Sequence, residues 1–283
     1  MGFAYPTRRS KSSLFRRRVW VSSPLVNTPL LSLSLTKNVA LCYNTYILTE
    51  RSFAVGYTKY EIVSMIEKSA ADISTFYKCD FINYRGVTTD TNEYYTEVVA
   101  EWLLSNISTL DGIKPIVREA GYYTQSHDGI PDKPDSNRTE ERIAMEMFRQ
   151  GEIADFGRII DYQTPLKNKR SDKAGKIDLL SFENNTLHIL ELKEPDSTES
   201  MLRCVLEGYT YLKTVCHSKL LDSFNLSKDT VIKTNPLVAL DGYQHNEMKE
   251  GRPKLHKLMK ILDIKPLYFY LQNDNYYITE GQK

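Results

Sequence analysis

Two mainly apolar runs, Lys176–Glu183 and Thr186–Lys193, flank the pair Asn184-Asn185. The pattern predicts two β-strands joined by a two-residue hairpin turn, because asparagine tolerates positive φ better than most residues. With that turn, Glu183 faces Thr186, Phe182 faces Leu187, Leu180 faces Ile189 and Asp178 faces Glu191. A side-chain period of two puts the last three pairs on one face, with Lys193 one step beyond Glu191 on that face. Upstream, Ser136–Phe148 has a helical period. Relative to Glu140, residues Ile143, Ala144, Met147 and Phe148 fall at i+3, i+4, i+7 and i+8. That count sets Glu140 on the buried stripe and turns Glu141 mostly toward solvent. Polar residues ahead of this run are able to cap the helix.

The same reading continues along the chain. Glu194-Pro-Asp-Ser-Thr198 signals a helix start, followed by a helix from Glu199 to Thr214 with Arg203, Glu207 and Tyr211 on one face. Phe156–Gln163 reads as a first strand and Thr230–Leu240 contains another. Arg252–Leu262 reads as a helix, and Pro266–Leu271 with Tyr276–Ile278 as a second hairpin. The order implies a mixed sheet with helices on both faces. Between Thr58 and Leu110 two helical patterns appear, one through Tyr60, Val63, Ile66 and Ile73, the other through Tyr94, Val98, Trp102 and Leu103. Residues 113–123 read as a short strand and a turn. The Gly-, Asp- and Pro-bearing stretch 124–137 marks a boundary. The expected organisation is a basic tail (1–50), a helical segment (51–130) and an α/β domain (131–283). The helical segment serves either as a cap on that domain or as a small partner-binding module.

Charge changes this picture at one point. The chain has 37 basic and 36 acidic residues. Seven of the basic ones, and no acid, fall in residues 1–49, so the remainder is net acidic by six. A net-acidic body binds nucleic acid only where its cations cluster. The loop 164–175 and its exit offer such a cluster in Lys167, Lys169, Arg170, Lys173 and Lys176, although charge runs in loops are commonly just solvated. Lys249, Arg252, Lys254, His256, Lys257 and Lys260 form a second one, able to track a strand or to serve as a wet helix face. The tail is Arg- and Ser-rich, as in transit peptides, and equally suits disorder or an early start codon. Its apolar stretch is too polar for a membrane span. The four cysteines lack zinc-ligand spacing and form no disulfide framework. An intracellular, cytoplasmic and reducing setting is expected, with no membrane partner, and a homodimer remains open.

Two carboxylates opposed across a ladder repel each other. The pairing of Asp178 with Glu191 makes sense if a divalent cation lies between them. Hard cations such as Mg²⁺ take carboxylates, carbonyls and waters, and the nearby Lys193 ammonium can orient a water or stabilise developing charge.

At these positions the sequence resembles the PD-(D/E)XK nuclease superfamily, whose pattern is an Asp near the end of one strand and Glu/Asp-x-Lys on the next. Asp178, Glu191 and Lys193 match it, while Ile177 stands where the name of the pattern has Pro. The resemblance covers about residues 136 to 283. It implies a restriction-endonuclease-like three-layer α/β/α core with a central mixed sheet, preceded here by the helical segment. It also implies a Mg²⁺-dependent phosphodiesterase acting on DNA, most simply an endonuclease, with Mn²⁺ able to substitute. In that reading Asp178, Glu191 and the Leu192 carbonyl hold the metal, Lys193 assists the attacking water, and Glu140 is the helix acid with Glu141 as second choice. Arg203 and Glu207 are supporting candidates, against an ordinary i,i+4 ion pair between them. The competing expectations are a catalytically inactive nucleic-acid-binding or assembly module on the same fold, and a metal-free protein in which Lys193 neutralises the acids.

Overall fold

The computed structural model describes residues 56–130, 138–154, 156–169, 171–172 and 174–281. The basic tail, Arg170 and Lys173 lie outside them. The central hairpin forms in the predicted register. Strand β3 (Lys176–Glu183) pairs antiparallel with β4 (Thr186–Lys193), matching Glu183 with Thr186, Phe182 with Leu187 and Leu180 with Ile189. Asn184 and Asn185 supply the turn with φ of 46° and 58°, the left-handed pair that a tight hairpin requires.

Strand β2 (Gly157–Pro165) adds to the outer edge of β3, and the two-residue β1 (Glu152–Ile153) adds to β2, both antiparallel. On the other side β5 (Val231–Ala239) runs parallel to β4, and β6 (Leu267–Gln272) parallel to β5. Strand β7 (Asn275–Thr279) closes the predicted second hairpin through Asn273-Asp274. The result is one seven-stranded mixed sheet in chain order. It curls like a barrel, bringing β1 toward β7. Gln150 bridges the gap, its amide donating to the carbonyls of Glu152 and Tyr276 (3.4 and 2.9 Å) and accepting from Tyr276 N–H (2.7 Å). Edge groups that no strand satisfies are thereby paired.

Both faces of the sheet are covered. Helix α3 (Thr139–Gln150) lays Ile143, Ala144 and Met147 on Leu179, Leu190, Leu192 and Leu237. It starts after Arg138 without a side-chain cap. The opposite face, including Leu180, Ile189 and Val238, packs against Leu202, Val205 and Leu206 of α4 (Met201–Thr214). Helix α4 and the short α5 (His217–Ser223) connect β4 to β5, while α6 (Tyr243–Lys249) and α7 (Pro253–Ile261) connect β5 to β6. This makes the chain a mixed α/β protein.

The preceding helices join the same apolar core. Helix α1 (Lys59–Ser69) opens with a capping box between Thr58 and Glu61, and α2 (Tyr95–Ser105) follows a series of 3₁₀ turns. The first predicted helix breaks before Ile73, with a kink at Asp72. Ile62, Ile66, Phe76, Val98 and Leu103 pack in one cluster with α4 and the sheet. Residues 113–123 form no strand. They run irregularly, tied by Ile116 N–H to the Thr214 carbonyl (2.8 Å) and by the Arg118 side chain.

Lys249, Arg252 and Lys254 of the second basic cluster are neutralised within the chain, while His256, Lys257 and Lys260 are exposed. Arg252 is buried, lies 3.1 Å from Glu250 and stacks 3.3 Å over the Tyr94 ring. Lys254 meets Glu93 and Glu101 at 2.7 and 3.0 Å. The tyrosines serve mainly in packing: Tyr77, Tyr95 and Tyr122 are buried, and Tyr57 stacks on Tyr84. Among the described residues no helix is long and apolar enough to cross a membrane, and Cys79, Cys204 and Cys216 are free thiols.

Candidate active site

The β3–β4 ladder ends at Leu179 opposite Leu190, one pair short of the two acids. Asp178 does not take Glu191 as a ladder partner. Its Oδ2 accepts from the Leu192 N–H at 3.0 Å and its Oδ1 from Gln163 Nε2 at 3.0 Å. Gln163 lies between the β2–β3 pairs Tyr162–Leu179 and Thr164–Ile177, at φ 48°. Left-handed backbone at a non-glycine strand residue is costly, and such strain concentrates at functional sites. Nothing in the sequence pattern marked Gln163.

Beyond the ladder, carboxylates from several elements gather around Lys193. Its Nζ lies 2.8 Å from Glu191 Oε1, 3.0 Å from Glu199 Oε2, 3.9 Å from Glu140 Oε1 and 4.0 Å from Glu207 Oε2. Glu191 and Lys193 are 3% and 6% exposed, so this is an interior cluster. Glu207 is fixed on α4 by Arg203 Nε (3.2 Å) and by the Tyr211 hydroxyl (2.7 Å). Arg203 also donates to the Tyr77 carbonyl. The predicted i,i+4 pair therefore forms at the site, mostly buried, and Arg203 is occupied in holding Glu207. Glu141 is not turned to solvent. It lines the cleft beside Glu140 and pairs with Arg138 at 3.1 Å.

Glu199 is the residue that the sequence pattern hid. The helix was expected to begin there, but Ser200 is the N-cap, accepting from Arg203 N–H, and α4 starts at Met201. Glu199 is left on a connecting segment that folds back to Lys193. That segment is tied down by Gln244, which donates to the Glu199 carbonyl (2.9 Å), by Asn83, which accepts from Ser200 N–H (3.0 Å), and by Arg85, which donates to the Thr198 carbonyl (2.7 Å). The usable signal was the serine itself, a better cap than a glutamate.

Close approach of α4 to the sheet depends on Gly208. A Cβ there would stand 2.7 Å from Thr234 Oγ1 and 3.7 Å from Glu191 Cβ. Gly208→Ala is expected to lower stability by about 1–3 kcal/mol through overpacking, measured by urea denaturation. An unchanged midpoint would contradict this packing.

The electrostatics follow from five carboxyl groups, Glu140, Asp178, Glu191, Glu199 and Glu207, set against two cations, Lys193 and Arg203. Burial pushes Asp178 up to about 7, against the pull of Lys193 and the Leu192 N–H. Burial likewise raises Glu191, with Asp178 and Glu207 adding to the rise and Lys193 opposing it. Burial raises Glu140 as well. Burial alone would lower Lys193, but Glu191 and the other acids outweigh it and hold the ammonium charged. Burial acts to raise Glu207 too, yet Lys193, Arg203 and the Tyr211 hydroxyl bring it below the usual range. The cluster has more carboxyl groups than cations, and burial favours the protonated form of Asp178, Glu191 and Glu140.

A cleft of about 590 Å³ opens on this cluster. Glu140, Glu141, Asp178, Glu194, Asp196 and Glu199 line it, with Arg138 as the one cation, while Glu191 and Lys193 stand behind that lining. Glu191 Oε2 is enclosed without a hydrogen-bond partner. Among the described residues no three Asp, Glu, His or Cys side chains are arranged to hold one metal ion. The donors do fit a hard cation in kind: they are carboxyl oxygens, one of them is unpartnered, and they outnumber the cations beside them. Magnesium commonly takes one or two carboxylates and keeps its waters.

Of the basic loop, Lys167, Lys169 and Lys176 are exposed at this end of the sheet. His188 is packed against Phe156 and bonded to Asn235, away from the cluster. No protein-family model, curated protein or solved structure matches the chain. The chemistry of the site rests on its own geometry.

Proposed function

We propose that the protein is a metal-dependent nuclease that hydrolyses DNA phosphodiester bonds, acting as an endonuclease on a restriction-endonuclease-like core. The observation that carries this reading is the gathering of Glu140, Asp178, Glu191 and Lys193 from α3, β3 and β4 at one end of the sheet. The element order α3, β2, β3, β4, α4, β5, with β5 parallel to β4, supports the three-layer reading.

Asp178, Glu191 and the Leu192 carbonyl are the groups that would hold Mg²⁺ or Mn²⁺. The ion supplies charge neutralisation at a phosphoryl oxygen and a bound water of lowered pKa. Lys193 keeps a fixed positive charge next to Glu191, placed to orient the attacking water or to meet charge developing on the phosphate. Glu140 offers a carboxylate on the cleft side for a water. Arg203 and Tyr211 act at one remove by holding Glu207.

The test is nicking of supercoiled plasmid with Mg²⁺ or Mn²⁺ and with EDTA. Cleavage by the wild type with metal, absent in EDTA and in folded Asp178→Asn and Glu191→Gln variants, is expected. Cleavage that persists in either variant overturns the reading. One observation favours a second reading, a catalytically inactive nucleic-acid-binding module: Lys193 is enclosed by carboxylates and does not reach the cleft lining. Binding without cleavage, unchanged in the same variants, is its signature.

A further inference from the structure

The cleft presents six carboxylates and one arginine to an incoming polyanion. Nucleic acid therefore draws its affinity from elsewhere on the surface. Such affinity comes from cations whose charge is not already met by the protein.

Several described cations fail that condition. Lys59, Lys193, Arg203, Lys233, Arg252 and Lys254 all have carboxylates within ion-pair distance. Arg118 and Lys219 are held in another way, by backbone carbonyls. Arg118 is 8% exposed, and its guanidinium donates only to backbone carbonyls: Pro165 (2.8 Å), Lys167 and Gly121 (3.0 Å). Its Nε has no partner. Lys219 Nζ donates to the carbonyls of Arg118 and Glu119. Neutral carbonyls satisfy the hydrogen bonds but leave the charge uncompensated, an expensive arrangement for a buried group.

These bonds join three segments. Arg118 holds the loop after β2 at Pro165 and Lys167, Glu119 N–H donates to Asn168 Oδ1 (2.8 Å), and Tyr122 N–H donates to Ser223 Oγ on α5 (2.9 Å). The loop so anchored exposes Lys167 and Lys169. Its own acid, Asp172, accepts from the backbone N–H groups of Asn168 and Lys169 and is held low by these and, to a smaller extent, by the Lys169 and Lys167 charges. The loop joins β2 to β3 at the end of the sheet where Asp178 lies.

We infer that this platform, Lys167 and Lys169 displayed on a loop held by Arg118 and Lys219, is a binding surface for the phosphodiester backbone of nucleic acid, separate from the acidic cleft. The inference rests on the nuclease reading for its ligand class. The cleft then contributes chemistry and the platform contributes affinity, so platform substitutions raise KM and leave kcat intact.

The experiment measures binding of fluorescein-labelled single-stranded and duplex DNA oligonucleotides in EDTA, as a function of KCl. Lys167→Gln/Lys169→Gln, at exposed positions, is expected to weaken binding and to reduce the salt slope by about 0.9 per cation for duplex, or about 0.7 for single strands. Lys219→Gln, checked for an unchanged melting temperature, is expected to act in the same direction. Asp178→Asn leaves affinity equal or tighter. Unchanged affinity and slope in the loop double variant, or no binding by the wild type, overturns the platform. Platform-dependent binding without any hydrolysis keeps the platform and removes the nuclease reading. Hydrolysis with binding indifferent to the platform does the reverse.

Discussion

Lys193→Met is expected to destabilise the metal-free protein by about 3–5 kcal/mol, the usual consequence of removing one partner of a buried ion pair. At about 2–4 °C per kcal/mol for a domain of this size, the melting temperature falls by roughly 10 °C. Lys193 is the cation nearest to Glu191 and Glu199 and also faces Glu140 and Glu207. Removing it leaves Arg203 alone to face the five carboxyl groups. The double variant Glu191→Gln/Lys193→Met takes out both members of the pair and is expected to recover at least about half of the loss, since replacing a whole buried pair is far milder than breaking it. Differential scanning calorimetry in EDTA reads both. A Lys193→Met protein as stable as the wild type would mean that the cluster is solvated and not buried. If the nuclease reading holds, kcat also falls by about 10²–10³, as when one preorganised charge-stabilising donor is removed.

The second large effect is on pH. Asp178 is pushed up to about 7 in the folded chain, chiefly by burial, whereas an aspartate in an unfolded chain titrates near about 3.9. Between those values the folded state binds the extra proton, so stability is lost as pH rises. The metal-free protein is expected to be most stable near about pH 5 and to lose roughly 5 °C in melting temperature by about pH 8. Glu191 shifts in the same direction and adds to the fall. Asp178→Asn is expected to flatten the profile and to melt higher than the wild type at the alkaline end. Stabilisation by Mg²⁺ is expected to grow with pH, because the ion and the proton compete for the same carboxylates. A profile rising from pH 5 to 8 in EDTA would overturn this account.

Both effects arise from residues whose place was partly legible in the sequence. The β3–β4 register was readable because a period of two and an Asn-Asn turn leave little freedom. The same rule failed at its last step. It extended the ladder to Asp178 and Glu191, whereas β3 parts from β4 there and Asp178 takes the Leu192 N–H. Two acids in direct opposition would repel, and a backbone donor relieves one of them. Glu199 was missed because its position depends on Gln244, Asn83 and Arg85, which are distant in sequence. Lys193 was legible from local pattern, and Glu207 and Arg203 from helical spacing, whereas Glu140, read as buried, has a side chain 36% exposed beside a 27% exposed Glu141. Gln163 has no local signature at all. Arg252 and Lys254 read as part of a cluster able to track a strand or to serve as a wet face, since a linear pattern cannot show that Tyr94, Glu93 and Glu101 lie against them.

The helices ahead of the sheet do more than adjoin it. Asn83 and Arg85 hold the backbone beside Glu199, and the Tyr77 carbonyl receives Arg203. Glu97 of α2 accepts from the N–H groups of Lys254 and Leu255 at the start of α7. The smallest autonomous unit of this protein therefore includes the stretch from α1 onward. A version trimmed to the strands and their flanking helices would lose the props behind the acidic cleft together with a large part of its apolar interior. An exchange that swapped everything ahead of α3 for a foreign segment would separate pieces fitted to each other.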